Sequence, residues 1–359
     1  MRIHKLDGLR GFFCVMVVLY HYDRLFLPNE VYNFFFIRHS YAFVDFFFVL
    51  SGFVISLNYA KMNTKSDFFM YIKKRFIRLF PLLFYSTCVM FFYAFLRDEL
   101  LIDLFPNTFG TSFNFDFTEY FIKLLNTFTF TDSTPVFGKI AGFNGPAWSI
   151  SAEMISYGVY GLVLLNFKKF KNYIFVVIIL ASIIFLFITG EFYAVHDYGF
   201  LRGLVSFHLG YFVYLMSKVK YNINNKIELL LPVVIIFLLY ILNEQTTSFL
   251  INILGVLISL SFALSLFVII NTDGFLSKIL DTKLFQFLGK TSFSIYLNHM
   301  LLITIYPKVL FKVLHLENNA FNQLLVCISY VFVIIIYSNF TYKYVEIKGS
   351  RALKKLLIK

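Results

Sequence analysis

The chain alternates long apolar stretches with short polar breaks, and about 20 apolar residues are what a helix needs to cross a bilayer. Ten such stretches can be marked: Leu9–Leu27, Phe34–Asn58, Phe76–Leu96, Pro146–Phe167, Tyr173–Thr189, Phe200–Ser217, Leu229–Leu242, Phe249–Ile270, Phe285–Tyr306 and Phe321–Tyr342. Tyr173–Thr189 and Leu229–Leu242 are short for a crossing. The pattern predicts an all-α fold, a polytopic transmembrane helix bundle of about ten spans that forms a single domain over residues 1–359. The one long polar connection is Arg97–Gly145, which carries Asp98, Glu99, Asp103, Asp116, Glu119 and Asp132. Inside it, Phe117–Phe130 has apolar residues at roughly helical spacing, which predicts a short interfacial or re-entrant helix.

Composition excludes the soluble alternatives. The 359 residues are 59% hydrophobic and only 14% charged, whereas a soluble domain carries about 25% charge. A fold of this size has too few interior sites to hide so much apolar surface from water. Cys14, Cys88 and Cys327 sit in apolar runs, which argues against a disulfide framework and against a cysteine metal cage. A net charge of +12 would suggest nucleic acid for a soluble protein; here it suggests a basic cytoplasmic face on a membrane protein, with the lipid bilayer rather than nucleic acid as partner. With the N-terminus inside and each stretch crossing once, 24 of the 32 lysines and arginines fall on the inner side, so both termini are expected in the cytoplasm. No small-residue cleavage site follows the first apolar run, so it reads as a span rather than a signal peptide.

Ionisable groups within apolar runs are costly and tend to mark sites. Arg10 and His21 are eleven positions apart, which returns them to within about 20° of one helix face and separates them by about 16 Å along the axis. Arg suits phosphate recognition and His suits proton transfer, although a snorkelling Arg10 and an interfacial His21 would look the same. Asp45 lies in Val44–Phe53 with Ser51 and Gly52; it must be paired or face a wet cavity, either as a site or as a structural ion pair. Lys73, Lys74, Arg75 and Arg78 stand where the third span begins, and Arg75 and Arg78 share a face. They suit a phosphorylated ligand, or they are an ordinary topology signal. In Asn144–Glu153, Trp148 suits the outer interface belt, and Ser149 and Glu153 face the same way at a depth like that of His21. A carboxylate there could orient the imidazole. His299, after Ser292 and Tyr296, sits mid-span, where a structural histidine is the commoner case; His208 is similar. No metal cluster, phosphate-cradling glycine loop or nucleophile elbow is present in the sequence.

Together these stretches resemble the acyltransferase-3 family of integral-membrane acyltransferases. The resemblance rests on Leu6-Asp7-Gly8-Leu9-Arg10-Gly11 with His21, Asp45-Phe46-Phe47-Phe48-Val49-Leu50-Ser51-Gly52-Phe53, Arg75-Phe76-Ile77-Arg78-Leu79-Phe80-Pro81, Trp148-Ser149-Ile150-Ser151-Ala152-Glu153 and Ser292-Phe293-Ser294-Ile295-Tyr296-Leu297-Asn298-His299, in that order along nearly the whole chain. It implies a bacterial cytoplasmic (inner) membrane enzyme with no resident cofactor or metal. The co-substrate would be acyl-CoA, commonly acetyl-CoA, and the acceptor a cell-surface or lipid-linked glycan. Lys359 follows the last span closely, so the expectation is a stand-alone enzyme without an extracytoplasmic hydrolase-like domain, acting on O-antigen, capsule or exopolysaccharide. The resemblance ties Arg10 and His21 to activity and Arg75 with Arg78 to the donor. On this reading His21 acts as general base or first accepts the acyl group itself, Lys74 assists at the donor phosphates, Glu153 or Asp23 fixes the His21 tautomer, and Asn144, Ser149 or a backbone amide serves the oxyanion. A transporter or flippase for a lipid-linked glycan is the alternative, since it too would bury Arg, Asp and His.

Overall fold

The computed structural model describes residues 3–104, 116–138 and 140–358. Arg2, Lys139 and Lys359, counted above for orientation, lie outside the described residues, as does the middle of the long connection, and no side chain is described for Asp103. Among the described residues the chain is helical, with no strand. The helices named below are α1 His4–Tyr20, α2 Val44–Tyr59, α3 Lys65–Leu96, α4 Phe117–Phe128, α5 Ala147–Asn166, α6 Lys171–Thr189, α7 Gly199–Met216, α8 Leu230–Asn243, α9 Ser248–Asn271, α10 Lys283–Lys308, α11 Ala320–Thr341 and α12 Lys348–Leu357.

Among the described residues, eight helical stretches are long and apolar enough to cross a membrane. They contain α2, α3, α5, α6, α7, α8, α9 and α11, including both segments that looked short in the sequence. The other two expected spans correspond to α1 and α10, and they differ for a physical reason. Helix α1 has 17 residues and carries Lys5, Asp7 and Arg10. Helix α10 buries Thr291, Ser292, Ser294, Asn298 and His299. Their polar groups face protein rather than lipid, because the two helices pack on each other: a Cβ on Gly289 would lie 1.9 Å from the Asp7 carbonyl oxygen. Helices α2 and α7 meet as closely, with a Cβ on Gly52 falling 1.8 Å from the Phe207 carbonyl oxygen. Backbone approach through small residues is how helices associate where lipid removes the hydrophobic drive. Helices α6 and α8 form an outer layer that turns Val177, Ile184, Ile188, Val233 and Phe237 outward.

Several boundaries differ from the apolar pattern. Helix α1 stops at Tyr20 with His21 as its C-cap, and Asp23 then caps a short turn, Arg24–Phe26, by accepting from the Leu25 amide at 2.9 Å. Helix α3 begins eleven residues earlier than its apolar run, at Lys65, because Thr64 and Asp67 form a capping box. Beyond α11 the chain continues through a π-helical segment, Tyr342–Ile347, into α12.

The long connection contains the expected short helix, α4, capped by Asp116. Tyr120 on α4 donates to Asp98 at the end of α3, and Asp98 also pairs with Arg97 at 2.6 Å. After α4 the chain turns inward: Ser151 of α5 donates to the Phe130 carbonyl at 2.6 Å, and Asp132 is 3% exposed. One Asp132 oxygen accepts from Thr127 at 3.2 Å, while the other has no partner among the described residues. Burial pushes the Asp132 carboxyl up to about 7. Its folded value exceeds the unfolded one, so its stabilising contribution is complete at acid pH and is lost as pH rises through about 7. Melting temperatures should therefore fall from pH 5 to about 7 and level off above it, and Asp132→Asn should flatten that fall. An unchanged slope in the variant would assign the pH dependence to another group.

Candidate active site

A cavity of about 460 Å³ runs between α1, α2, α3, α5 and α10. At one end it is lined by Asp7 and Arg10 of α1, Asn58 and Tyr59 of α2, and Arg75 and Arg78 of α3. Three of the four cations proposed for the donor thus meet in one place. Lys74 does not line the cavity and is exposed. Arg10 pairs loosely with Asp7 at 3.8 Å. The Arg75 guanidinium stacks 5.3 Å over the Tyr59 ring and donates to its hydroxyl at 3.2 Å, but its Nε is buried without a partner among the described residues. Arg78 is exposed and makes no ion pair with a described residue. A buried guanidinium nitrogen left unbonded beside two more arginines is an arrangement suited to a multiply charged anion.

Further along, the cavity becomes less charged. Glu153 of α5 accepts from Ser51 at 2.6 Å and from the Tyr157 hydroxyl one helical turn away. It also lies within electrostatic reach of Arg10. Glu153 therefore belongs with the arginines and not at the depth of His21, as its sequence position had suggested. Ser149 and Tyr296 follow, joined by a 2.8 Å hydrogen bond, and Ser149 also donates to the Pro146 carbonyl at 2.9 Å. Tyr296 and Phe47, with ring centroids 6.1 Å apart, stand at this end of the lining.

His21 is not in the lining; it stands just beyond. Tyr296 is 5.9 Å, ring to ring, from His299, and His299 is 4.9 Å from His21. The His21 Nδ1 is 2.9 Å from the Val17 carbonyl of its own helix. A carbonyl only accepts, so Nδ1 carries the proton and Nε2 presents a lone pair, the tautomer of a general base. The tautomer is thus set by the helix backbone. Neither proposed carboxylate forms a hydrogen bond or ion pair with His21: Glu153 is occupied by Ser51 and Tyr157, and Asp23 by the Leu25 amide. Asn144 has both Nδ2 hydrogens engaged, by Ser86 at 3.0 Å and the Leu297 carbonyl at 2.8 Å. It joins α3 to α10 and has no hydrogen left for an oxyanion.

Asp45 is paired, not wet. It is fully buried and receives a two-nitrogen contact from Arg202 of α7 at 3.0 Å, with Ser206 donating at 3.1 Å. Arg202 also donates to the Tyr41 carbonyl at 2.9 Å and lies between the rings of Trp148 and Tyr193, at 5.2 and 4.9 Å. Trp148 is consequently inside the protein, 6% exposed, rather than in an interface belt. Arg202 had given no signal in the sequence, where it is one cation near a helix start. Glu346 is a second addition: it sits in the π-helical segment after α11, accepts from Ser294 at 2.9 Å and is within electrostatic reach of Arg10 and Arg78. π-Helical turns often occur at functional positions, but their location is not written in an apolar pattern.

Known proteins resemble the chain along most of its length. The model of an acyltransferase domain, that of the acyltransferase-3 family, matches residues 3–339. The chain is 26% identical over 332 residues to the O-acetyltransferase OatA of Staphylococcus aureus strain NCTC 8325 / PS 47, and equally to that of strain COL, covering 85% of this chain and 50% of each relative. It thus spans about half the length of the curated relatives it matches. No solved structure matches it. With the match running through nearly every helix described above, the chain belongs to the acyltransferase-3 family of integral-membrane acyltransferases.

Proposed function

We propose that the protein is a membrane O-acyltransferase that moves an acetyl group from cytoplasmic acetyl-CoA to a hydroxyl of a cell-surface or lipid-linked glycan, such as O-antigen, capsule or exopolysaccharide. On this reading the bundle crosses the bacterial inner membrane about ten times, with both termini in the cytoplasm. The observation that carries the reading is the unbonded, buried Nε of Arg75 beside Arg10 and Arg78, at one end of a cavity whose other end approaches two imidazoles. A donor with phosphates at one end and a thioester at the end of a long flexible arm has the matching shape and charge. The relatives' name, O-acetyltransferase, supports the same chemistry.

The phosphates bind Arg75 and Arg78 at the cavity mouth, with Arg10 deeper. The arm extends past Ser51 and Glu153 to Tyr296, which must turn aside with Phe47 for the thioester to reach His21. The acceptor arrives from the opposite face. As its hydroxyl oxygen bonds to the thioester carbonyl carbon, its proton passes to His21 Nε2; the carbon–sulfur bond breaks, and the proton is returned to the departing thiolate.

The test is release of labelled acetyl from acetyl-CoA by the purified protein in detergent, with a glycan acceptor present. Arg75→Ala and Arg78→Ala should each raise KM for acetyl-CoA by about 10- to 100-fold, as lost charged hydrogen bonds do, while kcat changes little. A purified protein that releases no acetyl but moves a lipid-linked glycan between leaflets would favour the transporter. Unchanged KM in both arginine variants would remove the phosphate role.

A further inference from the structure

Two histidines bury an Nε2 without any partner among the described residues, His208 and His299. Both are fully buried, and both bond through Nδ1 to a carbonyl of their own helix, Leu204 at 2.7 Å and Tyr296 at 2.7 Å. What separates them is their surroundings. His208 lies against Phe175 and Phe207, at 4.6 and 5.4 Å between centroids. His299 lies 4.9 Å from the ring of His21, whose own Nδ1 is likewise tied to its helix. Each imidazole of that pair therefore holds its proton on the backbone side and keeps a bare lone pair on the other.

We propose that His299 is a positioning residue for acyl transfer, whose Nε2 accepts a hydrogen bond from the Nε2–H of His21 once His21 has taken up the acceptor hydroxyl's proton. This rests on the functional reading above. Before the reaction, both nitrogens are acceptors and have nothing to offer each other. When His21 captures the proton it gains an Nε2–H beside the fully buried His299, and a donor left unbonded on that side is costly. The neighbouring lone pair satisfies it. The two rings then share one proton, because adjacent imidazoles, one fully and one half-buried, resist carrying two charges. The step balances: the oxygen–carbonyl bond forms, the carbon–sulfur bond breaks, and the hydroxyl proton travels to His21, is held against His299, and leaves on the CoA sulfur. The titratable groups around the pair are the phenols Tyr20, against His21 at 4.8 Å, Tyr296, and Tyr330, which donates to the His299 carbonyl at 3.0 Å. His21 is the titratable side chain that acts electrostatically on His299.

The experiment compares His299→Ala, His299→Gln and, as the control for a buried imidazole outside the site, His208→Gln, in purified full-length protein with acetyl-CoA and a glycan acceptor. Both His299 variants should lose about 100-fold in kcat with KM for acetyl-CoA unchanged. The acid limb of the kcat profile should revert from a coupled two-group titration to that of one group. Added imidazole should restore part of the His299→Ala rate, and His208→Gln should keep wild-type kcat. The inference is overturned if either His299 variant, folded by thermal melt, keeps wild-type kcat and pH profile. It is equally overturned if the losses match those of His208→Gln and imidazole restores nothing. An active His21→Ala protein would instead overturn the reading of the site itself, whereas an inactive His21→Ala beside an active His299→Ala sinks only the present proposal.

Discussion

Replacing His21 with alanine should abolish acetyl transfer, by at least about 100-fold in kcat, and leave the amount of folded protein in the membrane unchanged. The side chain is only partly buried and caps the end of α1, where it hydrogen-bonds a carbonyl within its own helix. Its removal strands no charge. Among the described residues around it, Tyr296 and Ser149 bond each other, Glu153 is held by Ser51 and Tyr157, and His299, though 4.9 Å away, is fully buried behind His21. Acetyl release measured in detergent, beside membrane abundance by immunoblot, separates chemistry from folding. Retained turnover in the folded variant would strip His21 of its role.

Arg202→Ala should do the opposite, removing the protein rather than the chemistry. It leaves Asp45 at full burial with Ser206 as its remaining side-chain donor and opens a space between Trp148 and Tyr193. Breaking one side of a buried ion pair costs about 3–5 kcal/mol, a large share of the stability of any fold. The melting temperature in detergent should drop sharply or the yield collapse. The paired replacement Arg202→Met with Asp45→Leu should recover most of it, since buried pairs replaced together by apolar residues are often neutral. A stable Arg202→Ala protein, or a double variant no better than the single, would show that the pair does not hold α2 to α7.

What could be read from the amino acids follows the locality of the signal. Apolar runs locate α2, α3, α5 to α9 and α11 because lipid demands length and apolarity from each helix independently. They undercount the polarity of α1 and α10, whose hydrophilic groups are covered by each other and by neighbouring helices. The gathering of Arg10, Arg75 and Arg78 was legible because a shared side of the bilayer already limits where they can be. The partner of Asp45 was not, since Arg202 lies 157 positions away and nothing local distinguishes it. Depth along different helices was also hard to compare: Ser149 and Glu153 share a face, yet one reaches Tyr296 and the other the arginine end. The Val17 carbonyl that sets the His21 tautomer stands four residues back on the same helix, a spacing visible in the chain once an ending at Tyr20 is known.

The aromatic boundary formed by Phe47 and Tyr296 has a consequence for the cell's energy economy. A catalyst loaded from one face of an energised membrane and unloaded at the other is one open channel away from short-circuiting the proton-motive force. On the proposed reading, Phe47 and Tyr296, which line the cavity with ring centroids 6.1 Å apart, act as an electrical insulator, so that leakage current, and not turnover alone, should rise when both are cut back to alanine.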